Sequence, residues 1–275
     1  MGEVYLIYGE WLINWDATLS PNATAQRIAT AKQTFGNPKW VDVGNWTNDR
    51  TNWTNPHWSK ALIDFFHSYG IKCICHIPVD QTKIPLANAQ AMVDFQMNLA
   101  PSIDGFFLDG VSIYGGGRTA DPSAWAYFTT LTNYIKSKGK IVVVNPGTKN
   151  ISADTCLLGE IVCFEASWEA FVAEHPDLLD KAQFMGLENN TEFLVGHTID
   201  LTSAVADTQR AWSKGIAYFE ARESVPALPS WWEQYLAAVQ GYIPPPLAQQ
   251  GISPIVLVGA ILGVLVLIML MGGKK

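Results

Sequence analysis

Positive charge is the scarcest resource of this chain, with 18 Lys and Arg against 25 Asp and Glu over 275 residues. The resulting net charge of -7 and pI near 5.2 leave no basic face to neutralise phosphates, which excludes nucleic acid as the natural partner. A neutral or cationic ligand suits the balance better. Cysteine is also scarce, at four residues, and no CxxC or Cys/His cluster has the spacing of a zinc site. Cys73 and Cys75 alternate on one apolar run and face one side of it, so they are expected to be buried free thiols. Cys156 and Cys163 are spaced to close a short loop. No Gly-rich phosphate fingerprint follows the first apolar run, and this removes the signature of an open dinucleotide-binding sheet. No cofactor is implied. The opening residues "MGEVYLIYGEWLINWD" lack a basic n-region and a long apolar core, so they do not read as a signal peptide. An exported domain would need a leader outside this sequence or another route.

Charge is missing altogether between Glu233 and Lys274. That gap holds a stiff Pro-rich spacer, "YIPPPLAQQG" at 242–251, and then the uninterrupted apolar run 255–271. As a helix the run would rise roughly 25 Å, close to the thickness of a bilayer core. The expected organisation is therefore a globular domain over 1–241, a linker over 242–251, a single transmembrane helix over 252–271 and a short basic tail over 272–275. The lipid bilayer is thus an expected partner. Lys274 and Lys275 favour an inside C-terminus, which puts the domain on an extracellular or envelope surface. Sequons beginning at Asn22, Asn45, Asn52, Asn150 and Asn189 agree with that side. Gly259 and Gly263 form a GxxxG that permits self-association through the helix.

What remains is rich in short apolar runs, each followed by an amphipathic stretch. "VYLIY", "KWVDV", "IKCICHI", "IDGFFLD", "KIVVVNPG", "EIVCFE", a run containing "FLVGHT", and "GIAYFE" read as strands. Helical periodicity follows at 23–35, 58–69, 86–99, 123–137, 169–181, 201–212 and 231–239, with a short connection after the fifth strand. Strands that are apolar on both faces belong to a parallel sheet. Eight βα repeats in a single domain of this length predict an α/β fold of the (β/α)8 TIM barrel type. An open doubly wound sheet is the structural alternative.

A polar residue closes each run: Glu10, Asp42 with Asn45, His76, Asp109, Asn145, Glu165, His197 and Glu220. One Asp-Gly, such as Asp109-Gly110, is adequately explained as a turn. Eight polar endings are not, because C-terminal strand ends converge on the face where barrel enzymes place their chemistry. Trp11, Trp15, Trp46, Trp53 and Trp168 lie just beyond these ends. Flat indoles there can stack on sugar rings while carboxylates and amides bond the hydroxyls, and some of them will instead pack loops onto the barrel.

The motifs "IDGFFLDG" at 103–110, "IVVVNPGT" at 141–148, "EIVCFEASWEAF" at 160–171 and "ALPSWWEQY" at 227–235, in that order, resemble the spherulin-4-like proteins. This is the spherulation-specific family 4, some members of which are classed as glycoside hydrolase family 135. The resemblance implies a barrel hydrolase acting on amino-sugar polysaccharides, with Asp109 and Glu165 as matching catalytic carboxylates. Glu10, Trp11, His76, Asn145, Trp168, His197 and Glu220 are the expected substrate-binding residues. The family usually has Asp-Glu where this chain has Asp109-Gly110, so one of three expected carboxylates is missing.

Glycosidic cleavage needs a protonated acid at the leaving oxygen and a second group that attacks or stabilises the oxocarbenium-like centre. A 2-acetamido group on the substrate can serve as the nucleophile, in which case the protein supplies an acid and an orienting carboxylate. Glu165, after the apolar "IVCF", is the better placed acid because a low-dielectric wall raises a carboxyl pKa. Asp109 would remain ionised, and Glu10 or Glu220 would have to stand in for the missing third group. An inactive barrel that binds glycan or forms part of a surface coat is the alternative. A metal-dependent hydrolase using His76, Asp80, Asp109 and His197 is a further one, although the close His pairs that organise such sites are absent.

Overall fold

The computed structural model describes residues 3–6, 22–44, 60–111, 117–146, 154–165, 173, 191–196, 200–213, 218–221, 228 and 230–242. Eight parallel strands close into a barrel in simple chain order. They are β1 (Glu3–Leu6), β2 (Trp40–Asp42), β3 (Lys72–Pro78), β4 (Gly105–Asp109), β5 (Ile141–Asn145), β6 (Ile161–Glu165), β7 (Thr191–Gly196) and β8 (Tyr218–Ala221). The last strand pairs with the first through Glu3↔Tyr218 and Val4↔Phe219. Closure leaves no open edge.

The described helices are α1 (Ala23–Phe35), α2 (Lys60–Ser68), α3 (Leu86–Leu99), α4 (Pro122–Ser137), α5 (Leu201–Ser213) and α6 (Trp232–Gln240). Their limits are set by local chemistry. Asn22 caps α1 by accepting the Ala25 N–H at 3.0 Å, and Gly36 ends it in the left-handed region. Asp121 caps α4 in the same way, accepting from Ala124 at 2.9 Å with Pro122 in the first turn. Apart from residue 173, the helix expected over 169–181 lies outside the described residues, as does the apolar run 255–271. Among the described residues no helix is long and apolar enough to cross a membrane. The chain separates into two compact units, Met1–Tyr242 and Ile243–Lys275.

Strand alternation divides the described interior into two layers. Val41, Cys73, Cys75, Ile77, Phe106, Leu108, Val142 and Val144 join the helix side chains Ile28, Phe66, Met92, Val93, Phe128 and Leu131 in one continuous apolar cluster. The intervening residues Trp40, Ile74, Phe107 and Val143 are equally buried but lie outside that cluster, so they fill the barrel interior. The cysteines at 73 and 75 are buried and free, as their spacing predicts. Gly105 is required where β4 meets β5, since a Cβ there would lie 2.5 Å from the Ile141 carbonyl oxygen. Among the helices, the buried Thr208 and Tyr235 hydroxyls tie α5 to α6 at 2.8 Å. Arg27 then grips Glu233 with two donors at 2.5 and 2.6 Å, joining α1 to α6.

Candidate active site

Interior positions change character along the strands. The layer of Trp40, Ile74, Phe107 and Val143 gives way two residues later to Asp42, His76, Asp109 and Asn145. Steps of two keep a residue on the same face of a strand, and the register sets the relative heights. Asp42 is level with Ile74, His76 with Phe107, Pro78 with Asp109, and Asp109 with Asn145. Four polar side chains from four neighbouring strands are thereby gathered at one end of the barrel.

They form a single chain of contacts. Asp42 accepts the Gly44 N–H on Oδ1 at 2.9 Å and presents Oδ2 to His76 Nδ1 at 3.3 Å. His76 Nε2 faces Asp109 Oδ2 at 3.4 Å, longer than an ordinary N–H···O bond, so the attraction is chiefly between charges. Asn145 donates from Nδ2 to Asp109 Oδ1 at 2.9 Å. The Phe107 ring packs on the imidazole with centroids 5.0 Å apart. Gln96 of α3 donates to the His76 carbonyl at 3.4 Å.

Exposure separates the roles within this chain. The Asp42 and His76 side chains are 0% exposed, whereas that of Asp109 is 22% exposed. Asn145 is buried. Asp109 is therefore the member of the cluster that reaches the surface. His76 was expected to bind substrate, yet its ring offers no surface and touches Asp109 instead. Burial of the ring opposes its positive charge, but the facing carboxylates of Asp109 and Asp42 outweigh burial and push its pKa well above the ordinary histidine value. Two carboxylates against one imidazole make the described cluster acidic in character. It suits a ligand rich in donors or bearing an ammonium group.

The backbone after Asp109 forms the turn that Asp-Gly chemistry predicts, directly behind the Asp109 carboxylate. The Asp109 carbonyl accepts the Val79 N–H at 2.7 Å, and the Asn145 carbonyl accepts both Gly110 and Val111 N–H groups at 2.9 Å. This locks the end of β4 to its two neighbours. Gly110 has φ 86°, and a Cβ on it would lie 2.7 Å from the Val79 carbonyl oxygen. The missing family carboxylate therefore cannot be restored by adding a side chain without moving backbone.

Glu165 closes β6, level with Val195 of β7, which is level in turn with Glu220 of β8. Their backbones thus stand at one height across three strands; their side chains lie outside the described residues. Glu10, Trp11, Asn45, Trp168 and His197 also lie outside them. Asp80 is committed to Lys83 at 2.8 Å and to the Thr82 hydroxyl at 2.6 Å. These bonds lower its pKa to about 2. Among the described residues no group of His, Cys, Asp and Glu is arranged to hold a metal ion. Asp42 is the member of the cluster that does not stand among the expected site residues. It was legible as a polar strand end, but its partner stands 34 residues away, and only the shared interior parity of "WVD" and "CICH" hinted at the pairing.

Comparison with known proteins places this geometry in context. Residues 41–239 match the family described as Spherulin4, spherulation-specific family 4. No curated protein matches the chain by sequence. Among solved structures, a chitinase from Chromobacterium violaceum is similar at TM-score 0.54 and 10% identity, over 88% of this chain and 100% of that one. A beta-D-glucuronidase from Dictyoglomus thermophilum gives TM-score 0.55 at 9% identity, over 88% and 50%. A type I 3-dehydroquinate dehydratase from Clostridium difficile gives TM-score 0.50 at 12% identity, over 88% and 93%. At such identities the likeness is one of fold, and the different chemistries of the three underline it.

Proposed function

The chain belongs to the spherulation-specific family 4, and from that premise we propose that its barrel is a glycoside hydrolase acting on amino-sugar polysaccharide. The observation that carries the reading is Asp109: a carboxylate at the C-terminal end of an interior strand, oriented on both oxygens by Asn145 and His76, and the exposed member of its cluster. Such a group can orient a 2-acetamido or amino substituent, or stabilise positive charge as it develops at the anomeric carbon. Glu165, closing β6, supplies the acid in this reading. Tryptophans beyond the strand ends provide stacking surfaces for sugar rings. The apolar segment 255–271 tethers the domain to a membrane, with the barrel on the outer side and Gly259 and Gly263 available for pairing of the helices.

One observation favours the second reading, a glycan-binding protein without turnover. Position 110, where the family usually carries glutamate, holds a glycine whose backbone excludes a side chain. The two readings part in a direct assay. Acetylated and deacetylated hexosamine polymers are incubated with the protein and with Asp109→Asn, and released reducing ends are counted. Release by the wild type and its loss in the variant establish the hydrolase. Binding of polymer by both without release establishes the second reading.

A further inference from the structure

The buried pair behind Asp109 carries an inference of its own. Both ring nitrogens of His76 face carboxylate oxygens, Nδ1 toward Asp42 at 3.3 Å and Nε2 toward Asp109 at 3.4 Å. A neutral imidazole has one N–H and one lone pair, so it would aim that lone pair at one of the two carboxylates. An imidazolium donates in both directions. The ring is fully buried against Phe107, so solvent does not screen the arrangement. The charged groups that face it among the described residues are Asp42 from β2 and Asp109 from β4.

We propose that His76 is a positioning residue for Asp109: an imidazolium clamped by the buried Asp42, it holds the Asp109 carboxylate in one orientation at the mouth of the barrel. Asp42 is the anchor of this clamp. Its second oxygen is tied to the Gly44 N–H, which fixes the carboxylate at the end of β2 and leaves Oδ2 for the ring. Asn145 completes the arrangement by holding the remaining Asp109 oxygen. No proton leaves the pair during the reaction; the proton on His76 keeps the neighbouring negative charge in place. The clamp is independent of whether the bound glycan is cleaved, and only its kinetic consequence rests on the hydrolase reading.

The test begins with the wild-type full chain in detergent micelles, labelled with 15N-histidine, in which His76 is identified by ring contacts to Phe107. Both of its ring nitrogens are expected in the protonated range at pH 7.5. In Asp42→Asn the same ring is expected to titrate about one pH unit lower or more. On hexosamine polymer, Asp42→Asn is expected to lower kcat about tenfold or more and to move the alkaline limb of the kcat profile to lower pH. A packing role for Asp42 would not move that limb. A neutral His76 ring at pH 7.5 in the wild type overturns the proposal, as does a titration unchanged by Asp42→Asn. Because the first measurement needs no variant, misfolding of Asp42→Asn leaves it in force. A charged ring that responds to Asp42→Asn, in a protein that releases no reducing ends, supports the clamp and sinks the hydrolase reading.

Discussion

Replacing Gly110 with alanine puts one methyl group into the most constrained turn of the site. Two costs can be worked from the structure. A φ of 86° lies in the left-handed region, where an L side chain costs about 1–2 kcal/mol relative to glycine. The new Cβ would also stand 2.7 Å from the Val79 carbonyl oxygen, and relieving that overlap moves a turn whose three backbone bonds hold β4 to β3 and β5. Weakening one or two of them adds about 1 kcal/mol each. The sum is about 2–4 kcal/mol, or a fall in Tm of about 5–15 °C for a domain of this size. Urea denaturation followed by tryptophan fluorescence, with thermal melts beside it, measures the loss. Gly110→Asn should recover only the φ part, because asparagine tolerates positive φ but still brings a Cβ. An alanine variant within about 0.5 kcal/mol of wild type would refute the reasoning, and with it the claim that backbone excludes a side chain here. Gly110→Glu should be at least as unstable as the alanine variant and gain no hydrolysis.

Three other outcomes are expected. Asp109→Asn and Glu165→Gln should each reduce release of reducing ends about a hundredfold, the scale of losing an acid, base or charge-stabilising group; undiminished turnover in either would remove that residue from the mechanism. The raised pKa of His76 makes stability depend on pH with a definite sign: the contribution of the charged ring is fully present below the unfolded histidine value near 6.5 and is lost as pH rises through the folded value. Denaturation midpoints should therefore fall on the alkaline side, and His76→Gln should flatten that slope. A chain ending at Gly241 should stay in the aqueous phase of a detergent partition while the full chain enters the detergent phase; equal partitioning of both would end the membrane-anchor reading.

Helix limits were the most legible part of the fold. The 86–99 and 23–35 periodicities correspond to α3 and α1 residue for residue, because capping and breaking residues such as Asn22 and Gly36 sit at their ends. Strand ends were harder to place. A polar residue closes each apolar run in the sequence, yet β3 continues past His76 to Pro78, pairing Ile77↔Leu108 and Pro78↔Asp109. A polar side chain turned into the barrel does not interrupt the ladder, since the hydrogen bonds belong to the backbone. At Gly110 the turn was readable from Asp-Gly, but the clash was not. It arises from Val79, 31 residues earlier, and only the pairing of β3 with β4 brings the two together.

The position of the Asp42–His76 pair argues that it is kept for function. Taking two charges out of water costs several kcal/mol, and a buried ion pair replaced by well-packed apolar groups often leaves a protein as stable or more so. This barrel shows that its interior accepts such groups, since the adjoining layer consists of Trp40, Ile74, Phe107 and Val143. Packing alone would extend that layer toward the strand ends. Instead the charged pair stands directly behind Asp109, where it can act on the exposed carboxylate. The double replacement Asp42→Leu with His76→Leu should therefore preserve stability to within about 1–2 kcal/mol, while weakening capture of hexosamine oligomers about tenfold or more through a loosened Asp109. The single change His76→Leu, which strands Asp42 in the interior without its counter-charge, should cost about 3–5 kcal/mol. A double variant that binds as wild type does would show the pair to be idle, and one less stable than the single change would show it to be a structural element of the barrel.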